Sequence, residues 1–145
     1  MTKTAVALLL ASLLPGSLLL GPAAIAGDTP APADAYLYIG WPNDGEVINA
    51  QRFRVWFGLR HMGVAPAGVE KVNTGHHHLL IDTDLPSDDQ PIPNDRNHLH
   101  FGGGQTEAMV ELAPGTHTLQ LVMGDHDHVP HNPPVVSPKI TITVR

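Results

Sequence analysis

Residues 75–82 read GHHHLLID: three consecutive histidines run straight into an apolar stretch. As an extended strand this segment alternates. With Leu79 and Ile81 turned to a core, His77 points the same way, and His76, His78 and Leu80 take the opposite face. The segment is therefore read as a central strand, and the rest of the chain is read for its neighbours.

Upstream, RFRVWFGLR (52–60) alternates well. Phe53, Val55, Phe57 and Leu59 share one face, while Arg52, Arg54, Trp56 and Arg60 share the other. AYLYIGW before it reads as the first strand, with PNDGE as the turn that follows. HMGVAPAGVEKVNTG between the two best-patterned strands is a long loop rich in Gly and Pro. Downstream, TDLPSDDQPIPND is an acidic loop broken by proline, and NHLHFGGG a short extended piece with Leu99 and Phe101 opposite His98 and His100. QTEAMVEL is a strand. HTLQLVMGD is another, with His117, Leu119, Leu121 and Met123 inward and Thr118, Gln120 and Val122 outward. HDHVPHNPPVVSP reads as a loop, and KITITVR closes the chain with Ile140, Ile142 and Val144 inward.

Outside the N-terminal region no segment holds a helical hydrophobic period. About six to seven short strands joined by turns predict an all-β fold, an immunoglobulin-like antiparallel β-sandwich, over residues 36–145. Fourteen Gly and fourteen Pro against 5% aromatics fit that pattern. Residues 1–26 carry Lys3, a Leu/Ala-rich run and AIA at their end, the pattern of a signal peptide cleaved before Gly27. The expectation is a periplasmic or secreted protein with no membrane span once the signal is removed. Residues 27–35, GDTPAPADA, are expected to form a flexible leader. A formal charge of −6 with scattered basic residues offers no footprint for nucleic acid. With no cysteine there is neither a disulfide framework nor a thiolate ligand.

Ten histidines in so small a chain need a reason. Three His-x-His pairs stand out: His76/His78, His98/His100 and His126/His128. On a strand, residues two apart share a face about 7 Å apart, close enough for both imidazoles to turn onto one ion. In an immunoglobulin-like sandwich the third strand runs antiparallel beside the sixth. That places His76 and His78 beside Asp125, His126 and His128, with His131 in the following loop and Met62 in the loop before. His98 and His100 reach the same end only if their segment runs back alongside the third strand. The candidate ligands are thus His76, His78, His98, His100, His126, His128, His131, Asp125 and Met62. Imidazole suits copper and zinc, and a nearby thioether tilts the choice toward copper. Asp125 and Asp127 are either ligands or partners that orient an imidazole.

Plainer roles compete with these. His77 and His117 fall on core faces, where a hydrogen-bonded structural imidazole is expected. GHHH can be a hydrogen-bonded turn, DHDHVPHNPP a solvated loop, and Met62 a packing residue. Asp84, Asp88, Asp89 and Asp95 lack calcium-loop spacing. FGGGQTE is not followed by Lys-Ser/Thr and reads as a tight turn.

The combination NTGHHHLLID, HFGGGQTE, PGTHTLQL and PHNPPVVS resembles an exported bacterial family, domain of unknown function 4399, over residues 64–144. The family is uncharacterised, so the resemblance implies export and carries over no catalytic residue.

The reading that follows is a small periplasmic protein that binds copper or zinc and buffers or delivers it. The alternative is a metal-free immunoglobulin-like module that binds an envelope protein. An enzyme is the third option. No nucleophile, no Glu beside a His pair and no cleft is legible to support it.

Overall fold

The computed structural model describes residues 27–145, and the expected signal peptide lies outside them. Nine strands make up the regular structure: β1 (Tyr36–Trp41), β2 (Val47–Ile48), β3 (Arg52–Arg60), β4 (Gly63–Val64), β5 (Thr74–Ile81), β6 (His98–His100), β7 (Glu107–Glu111), β8 (Gly115–Gly124) and β9 (Ile140–Val144). Among the described residues there is no helix, and none that could cross a membrane. The fold is all-β. The strand count exceeds the expected six to seven because β2 and β4, only two residues each, are too short to show an alternation in sequence; β6 is the short extended piece read at NHLHFGGG.

The strands form two sheets. One is ordered β1-β3-β7 and the other β2-β9-β8-β5-β4, with β6 added beside β5. Most pairs are antiparallel, but β2 with β9 and β4 with β5 are parallel. A single large core takes side chains from both sheets. Leu37, Phe53, Val55, Phe57 and Val110 come from the smaller sheet, and Leu79, Ile81, Leu119, Leu121, Met123, Ile142 and Val144 from the larger. The alternation of β3 is as read, with Phe53, Val55 and Phe57 buried between exposed Arg52, Arg54 and Trp56.

Three placements position the site. β5 pairs antiparallel with β8, His76 opposite Gly124 and His78 opposite Val122. β6 runs back along the other side of β5, with His100 opposite His78 and His98 opposite Leu80. Beyond Gly124 the chain turns and comes back beside β8, bridging Gly124 to Pro130 and Val122 to Val136.

The side of β5 and β8 that faces away from the core is not solvent-facing. Every residue from Gly75 to Ile81 is buried. A second apolar cluster of Leu80, Ile92 and Val122, with Val136 against it, sits on that side. The loops 82–97 and 126–136 therefore form a lid over positions expected to face outward: His76, His78, Leu80, Gln120 and Val122. Their Ile92 and Val136 supply the apolar contacts that make such a lid stable.

The leader, expected to be flexible, is tied to this lid. Pro30 bridges Asn132, Gly27 N–H donates to Asp88 O at 2.9 Å, and Ala31 N–H donates to Asn132 O at 3.1 Å.

Candidate metal centre

Strand alternation places His76 and His78 on the covered face of β5, side by side and fully buried. β6 brings His100 in from one flank. The turn after β8 brings His128 from the other. The four rings meet, with centroids of 4.9 Å for His76–His78, 5.0 Å for His76–His100, 5.0 Å for His76–His128, 5.0 Å for His78–His100, 6.1 Å for His78–His128 and 4.7 Å for His100–His128. His76 Nε2 and His78 Nε2 stand 3.0 Å apart. His76, His100 and His128 each offer a ring nitrogen within 4.8 Å of the others, a triad compatible with a metal ion; His78 lies outside that triad and joins the cluster through its contact with His76.

Each of the four rings also has a buried nitrogen with no hydrogen-bond partner in the protein: His76 Nδ1, His78 Nδ1, His100 Nε2 and His128 Nδ1. Buried polar atoms are normally paired, and leaving one unpaired costs about 1–3 kcal/mol. His77 Nε2 and His131 Nδ1 are unpaired too, so it is the gathering of four such rings in one cluster that marks the place.

The electrostatics agree. His76 is pushed down to about 4, first by burial and then by the neighbouring His128 and His100. His78 is pushed down to about 2 by burial and by His76, His100 and His128. Burial and His128 also lower His100. Imidazoles held neutral at physiological pH keep the lone pair that a metal needs.

The turn that carries His128 is built around Asp125. The Asp125 Oδ1 atom accepts the Asp127 and Val129 N–H groups at 2.9 Å each, and the Asp125 carbonyl accepts His128 N–H at 3.0 Å. His128 itself adopts φ 71°, a left-handed conformation uncommon outside glycine, which the turn must hold in place. Burial acts to raise the Asp125 pKa, but the Thr29 hydroxyl and the two amides outweigh it and the net shift is downward.

The other expected site residues lie elsewhere. His98 shares the face of His100 but sits one pair further along β5, and its Nδ1 is 2.9 Å from Asp95 Oδ1. His126 turns to Asp127 at 3.3 Å. His131 is buried, and its Nε2–H donates to Thr74 O at 3.0 Å. The Asp125 carboxylate is occupied by the turn and by Thr29, and orients no imidazole. Met62 packs against the main core. Of the core-face histidines, His77 is buried with its Nδ1–H donating to Gln105 O at 3.0 Å, and burial lowers its pKa to about 4. His117 is half-buried, its two ring nitrogens facing Asp82 Oδ2 at 2.7 Å and Ala113 O at 2.9 Å.

Sequence reasoning missed the glycines that make room for the rings. A Cβ on Gly102 would lie 2.4 Å from His100 Cε1, one on Gly124 would lie 2.9 Å from His78 Nε2, and one on Gly75 would lie 2.7 Å from His131 Cε1. The signal was available, since a glycine inside a strand often marks a close approach.

The fold and this cluster define an all-β domain with a partly buried cluster of four histidines under a loop lid. Residues 55–145 match the family described as domain of unknown function (DUF4399), and the chain belongs to that family. No curated protein and no solved structure matches the chain.

Proposed function

We propose that this is a periplasmic transition-metal protein that holds one ion on His76, His78, His100 and His128 and buffers or delivers it. The observation that carries the reading is the convergence of donor nitrogens from His76, His100 and His128, with the spacing of the rings bringing His78 in as the fourth. An ion bound at about 2.0–2.1 Å by an imidazole nitrogen lies about 3.2 Å from the ring centroid, so four tetrahedral imidazoles have centroids about 5.2 Å apart. Five of the six separations fall between 4.7 and 5.0 Å and the sixth is 6.1 Å. A square-planar set would instead give four near 4.5 Å and two near 6.4 Å.

The donor set bears on the metal. The thioether argument for copper loses its support, because Met62 packs in the core. Imidazole donors in a near-tetrahedral layout suit zinc, while copper(II) gains from its higher intrinsic affinity for nitrogen ligands. With His78 as the fourth ligand no position is left open for substrate, the closed arrangement of a storage or delivery site; the triad alone would leave one open. His100 and His128 are only half-buried, so exchange with solvent has a side to proceed from. Periplasmic placement rests on the signal-like residues 1–26.

The test is titration of the metal-free protein with Zn(II) and with Cu(II), beside a variant carrying His76→Ala, His78→Ala, His100→Ala and His128→Ala. One equivalent should bind the wild type and none the variant at the same concentrations. Equal binding by the two removes the reading.

A second reading has its own observation. On the outer face of the smaller sheet Tyr36, Trp56 and Met109 are about half exposed, beside Arg52, Arg54 and Arg60. That surface favours a protein-binding module, which predicts a melting temperature indifferent to chelator.

A further inference from the structure

We infer that the leader is a clasp on the metal centre, and that Thr29 is the positioning residue through which it holds His128 in place. The inference rests on the four-imidazole reading and adds a control element to it.

His128 is the one member of the cluster not carried by a strand, since His76 and His78 belong to β5 and His100 to β6. Its position depends on the turn 125–129, and that turn depends on Asp125. One carboxylate oxygen of Asp125 is spent on the Asp127 and Val129 amides; the other accepts the Thr29 hydroxyl at 2.6 Å. This contact joins residues 96 positions apart. Asp125 is 4% exposed, so water does not readily replace the hydroxyl. A hydrogen bond to a buried carboxylate is among the stronger kinds.

The backbone reinforces the same contact. Asn132 N–H donates to Thr29 O at 2.9 Å, and Ala31 N–H donates back to Asn132 O at 3.1 Å. Gly27 lies so close to the lid that a Cβ there would stand 2.2 Å from Pro130 O. The leader thus grips both ends of the segment 125–132. From the other side, Ile92 N–H donates to His128 O at 2.9 Å, so the acidic loop completes the grip. Every other ligand is fixed by strand pairing. Loosening the leader removes one support from the single imidazole that no strand carries and leaves the other three where they are, which is the arrangement a release mechanism needs.

The test compares Thr29→Val, which keeps the shape and loses the hydroxyl, with Thr29→Ser, which keeps the hydroxyl. Zinc-loaded full-length protein is mixed with excess chromophoric chelator and the transfer rate is followed. Amide hydrogen exchange at Asp127 and Val129 is measured on the metal-free protein. Thr29→Val should release zinc roughly tenfold faster, the size expected from losing one hydrogen bond to a charged group. It should also speed exchange at both amides, while Thr29→Ser behaves as wild type. Zinc binding with identical release and exchange in the two variants overturns the clasp alone. A wild type that takes up no zinc overturns the metal reading, and the clasp with it.

Discussion

Gly102 offers the sharpest test of whether His100 is a ligand. A Cβ added at this position would lie 2.4 Å from His100 Cε1 and 2.5 Å from Nε2. Ordinary carbon contacts begin at about 3.5 Å, so the ring in Gly102→Ala must retreat by about 1 Å. Metal–nitrogen bonds tolerate deviations of only about 0.2 Å. The displaced imidazole therefore leaves the coordination sphere, or drags the ion away from the other three. Affinity for zinc should fall about 10–100-fold, the size of effect seen when a metal-binding histidine loses the group that orients it. The metal-free fold should suffer less. His100 is half-buried and can swing outward, so the overpacking cost stays near the lower end of about 1–3 kcal/mol. Gly103 is the internal control. A Cβ there would meet only the flexible Gln105 side chain at 3.2 Å, and affinity should stay within about twofold of wild type. The assay is competition for zinc against a chelator of known affinity, with thermal melts of both metal-free variants alongside. Gly102→Ala binding zinc as tightly as wild type, or Gly103→Ala losing as much, refutes the placement of His100 in the coordination sphere.

His98→Ala and His126→Ala should leave zinc stoichiometry and affinity unchanged, because these rings are engaged with Asp95 and Asp127; a tenfold loss in either by calorimetry would reassign the ligands. The metal-free protein should lose stability as pH falls below about 6.5, because the unfolded chain takes up protons there that His76 and His77, held down to about 4, and His78, held down to about 2, refuse. Three such sites give a slope approaching about 4 kcal/mol per pH unit between pH 6 and 5, and urea midpoints that stay flat down to pH 4.5 would contradict it. For His117, burial lowers the pKa but the Asp82 carboxylate and Ala113 carbonyl raise it by more, so its NMR titration midpoint should lie above 6.5 and Asp82→Asn should bring it down.

Much of this arrangement is legible in the sequence, and the parts that are not share a cause. The alternation in GHHHLLID puts His76 and His78 on one face, and antiparallel pairing with HTLQLVMGD brings them to the turn after β8. Which member of each remaining pair joins them is a matter of register. Pairing of His100 with His78 leaves His98 opposite Leu80, about 7 Å further along, and no residue type announces that offset. His126 and His128 defeat the rule of two because they sit in a turn, where His128 adopts φ 71° and the alternation of a strand does not apply. The lid is hidden for a different reason. Its sequence is acidic, prolyl and histidine-rich, as a solvated loop would be, and the few side chains that seat it, Ile92 and the pair Val135 and Val136, are hemmed by prolines in that context.

The lid also explains why so many imidazoles can be buried at all. A neutral imidazole with an unpaired nitrogen is a poor core residue, and this face holds four of them. Apolar residues of similar volume would pack there at no such cost, as Leu80 and Val122 do on the same side of the sheet. The penalty falls on the metal-free state, at roughly 1–3 kcal/mol for each unpaired nitrogen, and an ion bound at the cluster offsets part of it. Metal binding and lid closure then favour one another, because the ion ties His128 of the lid to His76, His78 and His100 of the sheet. The centre is thereby coupled to a lid that side-chain contacts and isolated bridges, rather than a continuous strand ladder, hold to the sheet.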